Sequence, residues 1–64
     1  MTIHDEIRKA FQSVGTELAS LNPDGTFQAN SQYGIPIADD FTTQKKAEEH
    51  TLRYYTQRMH LIRQ

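Results

Sequence analysis

A proline at position 23 divides this chain and limits what its first third can become. Proline disfavours helical geometry in the residue before it, so an N-terminal helix has to end by Asn22. The stretch Asn22-Pro23-Asp24-Gly25 has the composition of a β-turn, because proline presets the first central position and glycine accepts a positive φ. The sequence therefore predicts an N-terminal element, then a turn, then the rest of a single small domain spanning residues 1–64.

The residues before this turn predict an amphipathic helix over about residues 3–21. Thr2 is placed to cap it by accepting the Asp5 N–H, and the Asp5 carboxylate is placed to reach back, as in a capping box. Apolar residues follow at alternating spacings of three and four, which is helical periodicity. They are Ile3, Ile7, Ala10, Phe11, Val14, Leu18 and Leu21. Gly15 would lie inside this helix, where glycine costs about 1 kcal/mol relative to alanine.

The middle segment has weak strand character. Apolar residues alternate with other residues in both of its halves: Phe27 and Ala29 in the first, and Tyr33, Ile35 and Ile37 in the second. These halves predict either a short irregular hairpin turning near residues 30–31 or a loop held down by its apolar side chains. Pro36 lacks an N–H donor and would confine the second strand to a sheet edge.

A second amphipathic helix is predicted over about residues 43–63, with its N-cap somewhere in 39–43. Its clearest apolar stripe consists of Leu52, Tyr55, Met59 and Ile62. The fold class we expect is therefore mainly α, with two amphipathic helices joined by a turn and a short irregular hairpin or loop. The alternative is a small α+β fold with the element order α-β-β-α.

Residue types that often serve in catalysis or metal binding are present, but they do not form a recognisable motif in the sequence. His4, His50 and His60 have no second ligand four residues away, and no His-Glu-x-x-His pattern occurs. The chain has no cysteine, which excludes disulfides and cysteine-bound zinc. No glycine-rich phosphate loop is present, and no serine has a matched histidine and aspartate. We expect neither enzymatic activity nor a bound metal or cofactor.

No apolar run approaches the roughly 18 residues that span a membrane. The first residues have neither the basic region nor the apolar core of a signal peptide. We therefore expect a cytoplasmic protein without a membrane partner.

Basic residues gather in the C-terminal helix, where no acid follows Glu49. Arg53, Arg58 and Arg63, with neighbouring tyrosines, could contact phosphates and stack on bases, so a nucleic-acid-binding accessory protein is the alternative function. Arginines five residues apart are rotated by about 140° around a helix, so they do not form one basic face. The formal net charge is −1. Nucleic acid is therefore not the favoured partner.

The apolar stripes favour a non-enzymatic protein–protein interaction module. A chain of 64 residues buries only about 60% of its unfolded surface, and no disulfide adds to its stability. Pairing through the N-terminal helix would bury more, so we expect a homodimer. The predicted interface residues are Ile7, Phe11, Val14, Leu18, Leu52, Tyr55, Met59 and Ile62.

Residues 24–50 contain Asp24-Gly25-Thr26-Phe27-x-Ala29, followed by Phe41-x-Thr43-x-x-x-Ala47. This pattern resembles small accessory proteins of lambda-like temperate phages, in which a short strand pair leads into a helix. The resemblance covers under half of the chain and leaves out the N-terminal helix. The long spacer with Pro36 departs from the tighter hairpin of those proteins. The resemblance implies an early phage protein that binds and redirects a host or phage protein, and it assigns no functional residue.

Overall fold

The computed structural model describes residues 2–63, and it describes the side chains of residues 2–59. Its elements are two helices and three strands in the order α1 (Ile3–Ser13), β1 (Ala19–Leu21), β2 (Phe27–Asn30), β3 (Pro36–Phe41) and α2 (Gln44–Arg63). The strands form an antiparallel sheet in the order β1-β2-β3. The two helices are present, but the fold is a small α+β fold, so the prediction of a mainly α fold is corrected. The α-β-β-α alternative is closer and lacks only β1.

The start of α1 follows the sequence prediction. Thr2 Oγ1 accepts the Asp5 N–H at 3.2 Å, and Asp5 Oδ2 accepts the Thr2 N–H at 3.3 Å. This is the predicted capping box, and it satisfies two backbone donors that a helix N-terminus otherwise leaves unpaired.

The end of α1 corrects the prediction of a helix over residues 3–21. Gly15 has a φ of +71°, in the left-handed region. Its N–H donates to the Gln12 carbonyl at 3.1 Å, and the Thr16 N–H donates to the Phe11 carbonyl at 3.0 Å. This pair of bonds is a Schellman motif, which closes a helix and favours glycine at the left-handed position. Gly15 therefore ends the helix instead of lying within it.

The turn predicted around Pro23 and Gly25 joins two strands of the sheet. The Asn22 N–H donates to the Thr26 carbonyl at 2.7 Å, and the Gly25 N–H donates to the Asn22 carbonyl at 3.1 Å. Leu21, predicted from its spacing to lie in the first helix, is the last residue of β1 and pairs with Phe27. The turn is confirmed, but a strand precedes it.

The hairpin predicted in the middle segment is formed by β2 and β3. Its loop covers residues 31–35, slightly later than the predicted turn near residues 30–31. Pro36 begins β3, which is an edge strand, as expected from its missing N–H donor. The pairing of β2 with β3 contains two register shifts, and Asp40 has a positive φ of 65°.

The second helix, α2, confirms the predicted range of 43–63 to within one residue. Thr43 lies directly before α2 and caps its N-terminus, because Thr43 Oγ1 accepts the Lys46 N–H at 3.2 Å. Ala47 and Thr51 are fully buried where α2 packs on the sheet, and the Thr51 hydroxyl donates to the Leu18 carbonyl at 2.9 Å. Small side chains at these two positions let the helix lie close to the strands. The main apolar core is formed by Ile7, Phe11, Leu18 and Leu52.

Candidate interaction surface

Most of the predicted interface residues lie within the core of the single chain. Ile7, Phe11, Leu18 and Leu52 are buried, and Tyr55 and Met59 pack against them. Val14 is 57% exposed. The side chain of Ile62 lies outside the described part of the chain. The apolar stripe of the first helix is therefore used internally, because α2 and the residue before β1 cover it. The homodimer that the sequence predicts along this stripe stays a prediction.

An open groove of about 600 Å³ lies between α1, α2 and the loop of residues 31–35. Ile7 and Phe11 connect this groove to the core. Further lining comes from Ala10 of α1, Tyr33 of the loop, and Tyr54, Tyr55, Arg58 and Met59 of α2. A concave, mainly apolar surface with a few polar groups is typical of binding sites in general.

Tyr55 holds the three walls of the groove together. Its ring meets the Phe11 ring edge to face, with centroids 5.4 Å apart and an interplanar angle of 87°. Its hydroxyl accepts the Gln32 N–H at 2.9 Å. The Tyr54 ring packs at 5.2 Å from the Tyr55 ring. One side chain thus links α2 to α1 by ring packing and to the loop by a hydrogen bond.

The loop of residues 31–35 is held by its own hydrogen bonds. The buried Ser31 side chain accepts the N–H groups of Tyr33 at 3.2 Å and Ile35 at 3.1 Å. The Ser31 N–H donates to the Ile35 carbonyl at 2.8 Å, and the Gly34 N–H donates to the Ser31 carbonyl at 3.0 Å. Gly34 has a φ of +82°, which lets the chain reverse within five residues. The loop therefore presents its side chains from a well-defined backbone.

This loop displays two large apolar side chains to solvent. Tyr33 is 78% exposed and Ile35 is 64% exposed, although the backbone beside them is tied down. We refer to the groove together with Tyr33 as the tyrosine surface.

Among the residues whose side chains the structure describes, the tyrosine surface carries one acid and one base. Glu6 lines it from α1 and Arg58 lines it from α2. The Arg58 guanidinium lies over the Tyr54 ring, 4.6 Å from its centroid, a cation–π contact that keeps the arginine at the groove. The charges of these two residues balance, so the surface attracts neither a strongly acidic nor a strongly basic partner.

Arg53 and Arg58, two of the arginines considered for nucleic-acid binding, line different depressions. Arg58 lines the groove, whereas Arg53 lines a separate shallow depression with His4 and Glu49. The side chain of Arg63 lies outside the described residues. This placement agrees with the rotation expected for arginines five apart on a helix.

The histidines and carboxylates are also dispersed. Within the described residues, no group of three histidine, aspartate or glutamate side chains is arranged to hold a metal ion. His50 packs on the Phe41 ring, with centroids 5.3 Å apart, while the side chain of His60 is not described. The pKa of Asp24 is lowered because its carboxylate accepts hydrogen bonds from the Thr26 hydroxyl at 2.6 Å and the Thr26 N–H at 3.0 Å. This arrangement stabilises the turn and does not face the groove.

The sequence pattern places Tyr33 in a strand or an anchored loop and does not include it in the predicted interface. A serine two residues before Tyr33 and a glycine directly after it form a local signal for a tight, side-chain-bonded loop. That signal identifies a turn, but the exposure of Tyr33 depends on how α2 and the loop pack together.

Comparison with known protein families, characterised proteins and solved structures finds no match to this chain. Within residues 2–63, no helix has both the length and the apolar character needed to cross a bilayer.

Proposed function

We propose that this protein is a non-enzymatic protein–protein interaction module that binds its partner with the tyrosine surface. The observation that carries this proposal is the 78% exposure of Tyr33 on a hydrogen-bonded loop beside an apolar groove. The resemblance to small phage accessory proteins supports the same class of function, with a host or phage protein as the partner.

The composition of the tyrosine surface supports this function. Tyrosine and arginine are enriched among the residues that dominate binding energy at protein interfaces, and here Tyr54 and Arg58 are stacked beside the exposed Tyr33. An aromatic side chain offers a large contact area with few rotatable bonds, so it loses little entropy when it is buried by a partner.

The hydrogen bonds that hold the loop of residues 31–35 also support the proposed function. A flexible loop has to be ordered on binding, at a cost of about 0.5–1.5 kcal/mol for each immobilised side chain, in addition to backbone ordering. Hydrogen bonds to the Ser31 side chain and to the Tyr55 hydroxyl already fix the backbone on both sides of Tyr33. Part of the ordering cost is therefore met in the free protein.

A capture experiment with matched variants tests this function. Tagged wild-type protein, Tyr33→Ala and Leu21→Ala would be used to retrieve partners from the native host, with identification by quantitative mass spectrometry. Leu21 is the control, because it is 66% exposed but pairs with the first residue of β2, whereas Tyr33 lies in the loop that follows β2. We expect a specific partner to be retained by the wild type and by Leu21→Ala and to be lost from Tyr33→Ala.

Circular dichroism of all three proteins would show that the fold is intact. Equal recovery of every captured protein by the wild type and Tyr33→Ala would rule out the tyrosine surface as the binding site.

A further inference from the structure

We infer that the tyrosine surface binds a second copy of this chain about a two-fold axis. This inference rests on the proposed function, since it names the partner of the same surface. Ile7, Ala10 and Phe11 of the first-helix stripe also line the groove, and the inference adds Tyr33, which the predicted interface did not include.

The shape of the tyrosine surface is self-complementary. It places a protruding side chain, Tyr33, directly beside a groove of about 600 Å³. A two-fold interface brings the same patch of both copies together, so every protrusion has to meet a cavity of the same patch. In this arrangement the Tyr33 ring of each copy enters the groove of the other. There it can contact Tyr54 and Met59, both of which line the groove.

The charges of the surface are self-complementary as well. Glu6 lies on the α1 wall and Arg58 on the α2 wall of one groove. A two-fold axis that runs along the groove would place the α1 wall of one copy opposite the α2 wall of the other, so that each Glu6 faces an Arg58. A carboxylate accepts several hydrogen bonds at once, and Glu6 can keep its interactions within its own chain.

A dimer of this kind would use part of the 4605 Å² that this chain exposes. A stable interface buries about 800 Å² on each partner. An exposed tyrosine such as Tyr33 provides on the order of 150 Å² of this area. The groove walls provide further area on the same surface.

Pairing through the sheet edges, the other common route to a dimer, is obstructed on both sides. The β3 edge contains Pro36, Asp40 with its positive φ, and two register shifts, all of which interrupt a regular ladder. The β1 edge has three residues, and Ala19 at its start is only 3% exposed. Among the described residues, the tyrosine surface offers an apolar groove for pairing that does not depend on a regular strand ladder.

The first experiment is sedimentation velocity and light scattering from about 5 to 200 μM. We expect the wild type and Leu21→Ala to form dimers, and Tyr33→Ala to weaken the dimer on the order of 30-fold, as for a central interface residue. A wild type that is monomeric throughout this range overturns the inference. A dimer that Tyr33→Ala leaves unchanged also overturns it, because the interface then lies elsewhere.

The second experiment uses charge reversal and mixing. Glu6→Arg alone and Arg58→Glu alone should each be monomeric, because every copy then presents like charges to its twin. An equimolar mixture should form a heterodimer with both charge pairs restored. An ion pair between Glu6 and Arg58 of the same chain would not make the mixed variants form a heterodimer. Single variants that dimerise as well as the wild type, or a mixture that stays monomeric, contradict the two-fold arrangement.

The two proposals fail in different ways. A monomeric wild type that still loses a specific partner on Tyr33→Ala overturns the second copy as the occupant and leaves the proposed function standing. If the dimer depends on Tyr33 and the capture experiment retrieves no other protein, the second copy is supported as the partner. The same result overturns a host or phage protein as the partner.

Discussion

Replacing Gly15 with alanine tests where the first helix ends, because the two interpretations of this residue predict opposite signs. If the helix continued through residue 21, Gly15 would lie in its interior, and alanine would stabilise the protein by about 1 kcal/mol. In the structure Gly15 has a φ of +71° and closes α1. Alanine in that conformation is strained, so the substitution should destabilise the protein.

The magnitude follows from backbone conformation alone. A β-carbon at Gly15 would meet no atom within 4 Å beyond the two adjacent residues, so a clash with other parts of the fold does not contribute. The left-handed conformation costs a residue with a β-carbon about 1–2 kcal/mol. Alanine also reduces the entropy of the unfolded chain, which offsets about 0.4–1 kcal/mol of that cost. We expect a net loss of about 1 kcal/mol, which corresponds to a fall in Tm of about 4–8 °C for a domain of this size.

The assay is thermal unfolding followed by circular dichroism, with urea unfolding at 25 °C to obtain the free energy. Gly15→Asn is the matched control, because asparagine tolerates the left-handed conformation better than alanine does. We expect its Tm to lie between those of Gly15→Ala and the wild type. A rise in Tm for Gly15→Ala would show that the helix continues and would refute the assignment of its end.

Two further predictions concern the groove and the first turn of the sheet. Tyr55→Phe removes the acceptor of the Gln32 N–H while keeping the ring packed on its neighbours, so we expect a loss of about 1 kcal/mol and faster amide hydrogen exchange at Gln32. Unchanged protection of that amide by NMR would contradict the role of the hydroxyl. Asp24→Asn should reduce stability at neutral pH, because the lowered pKa of Asp24 means that its charged form is favoured in the folded state. This contribution is fully present above the ordinary aspartate pKa of 3.8 and is lost as the pH falls through the lower folded-state pKa, so urea midpoints of wild type and variant should converge below pH 3.8. A difference that does not vary with pH would disprove the linkage.

The helices illustrate how much of this fold is encoded locally. The capping box of Thr2 and Asp5 involves residues three apart, and the cap of Thr43 on Lys46 has the same spacing, so short-range chemistry determines both helix starts. The turn before β2 depends on Pro23 and Gly25 in the same local way. These features could be predicted because the interacting groups are neighbours along the chain.

The end of α1 could not be read from apolar spacing. Leu18 and Leu21 continue the helical period, yet Leu18 reaches the core from the segment before β1, and Leu21 is 66% exposed in a strand. A period of three and four residues does not distinguish a continuing helix from a chain that reverses at a glycine and returns to the same core. The pairing of β1 with β2 distinguishes these two possibilities, because it places residues 19–21 in a strand. This pairing links residues that are six to ten apart along the chain.

The candidate site also combines features that are encoded locally with features that depend on tertiary packing. By itself, the sequence determined that Tyr54, Tyr55, Arg58 and Met59 share one helix, and that Ser31 and Gly34 favour a turn, because these are local preferences of backbone and side chain. Only the tertiary structure decided that Phe11 would be buried and that Val14 and Tyr33 would be exposed. It also decided that a groove would open between α1, α2 and the loop of residues 31–35. Burial is a property of contacts between distant segments, and the packing of α2 against both α1 and the loop of residues 31–35 determines which apolar side chains are covered.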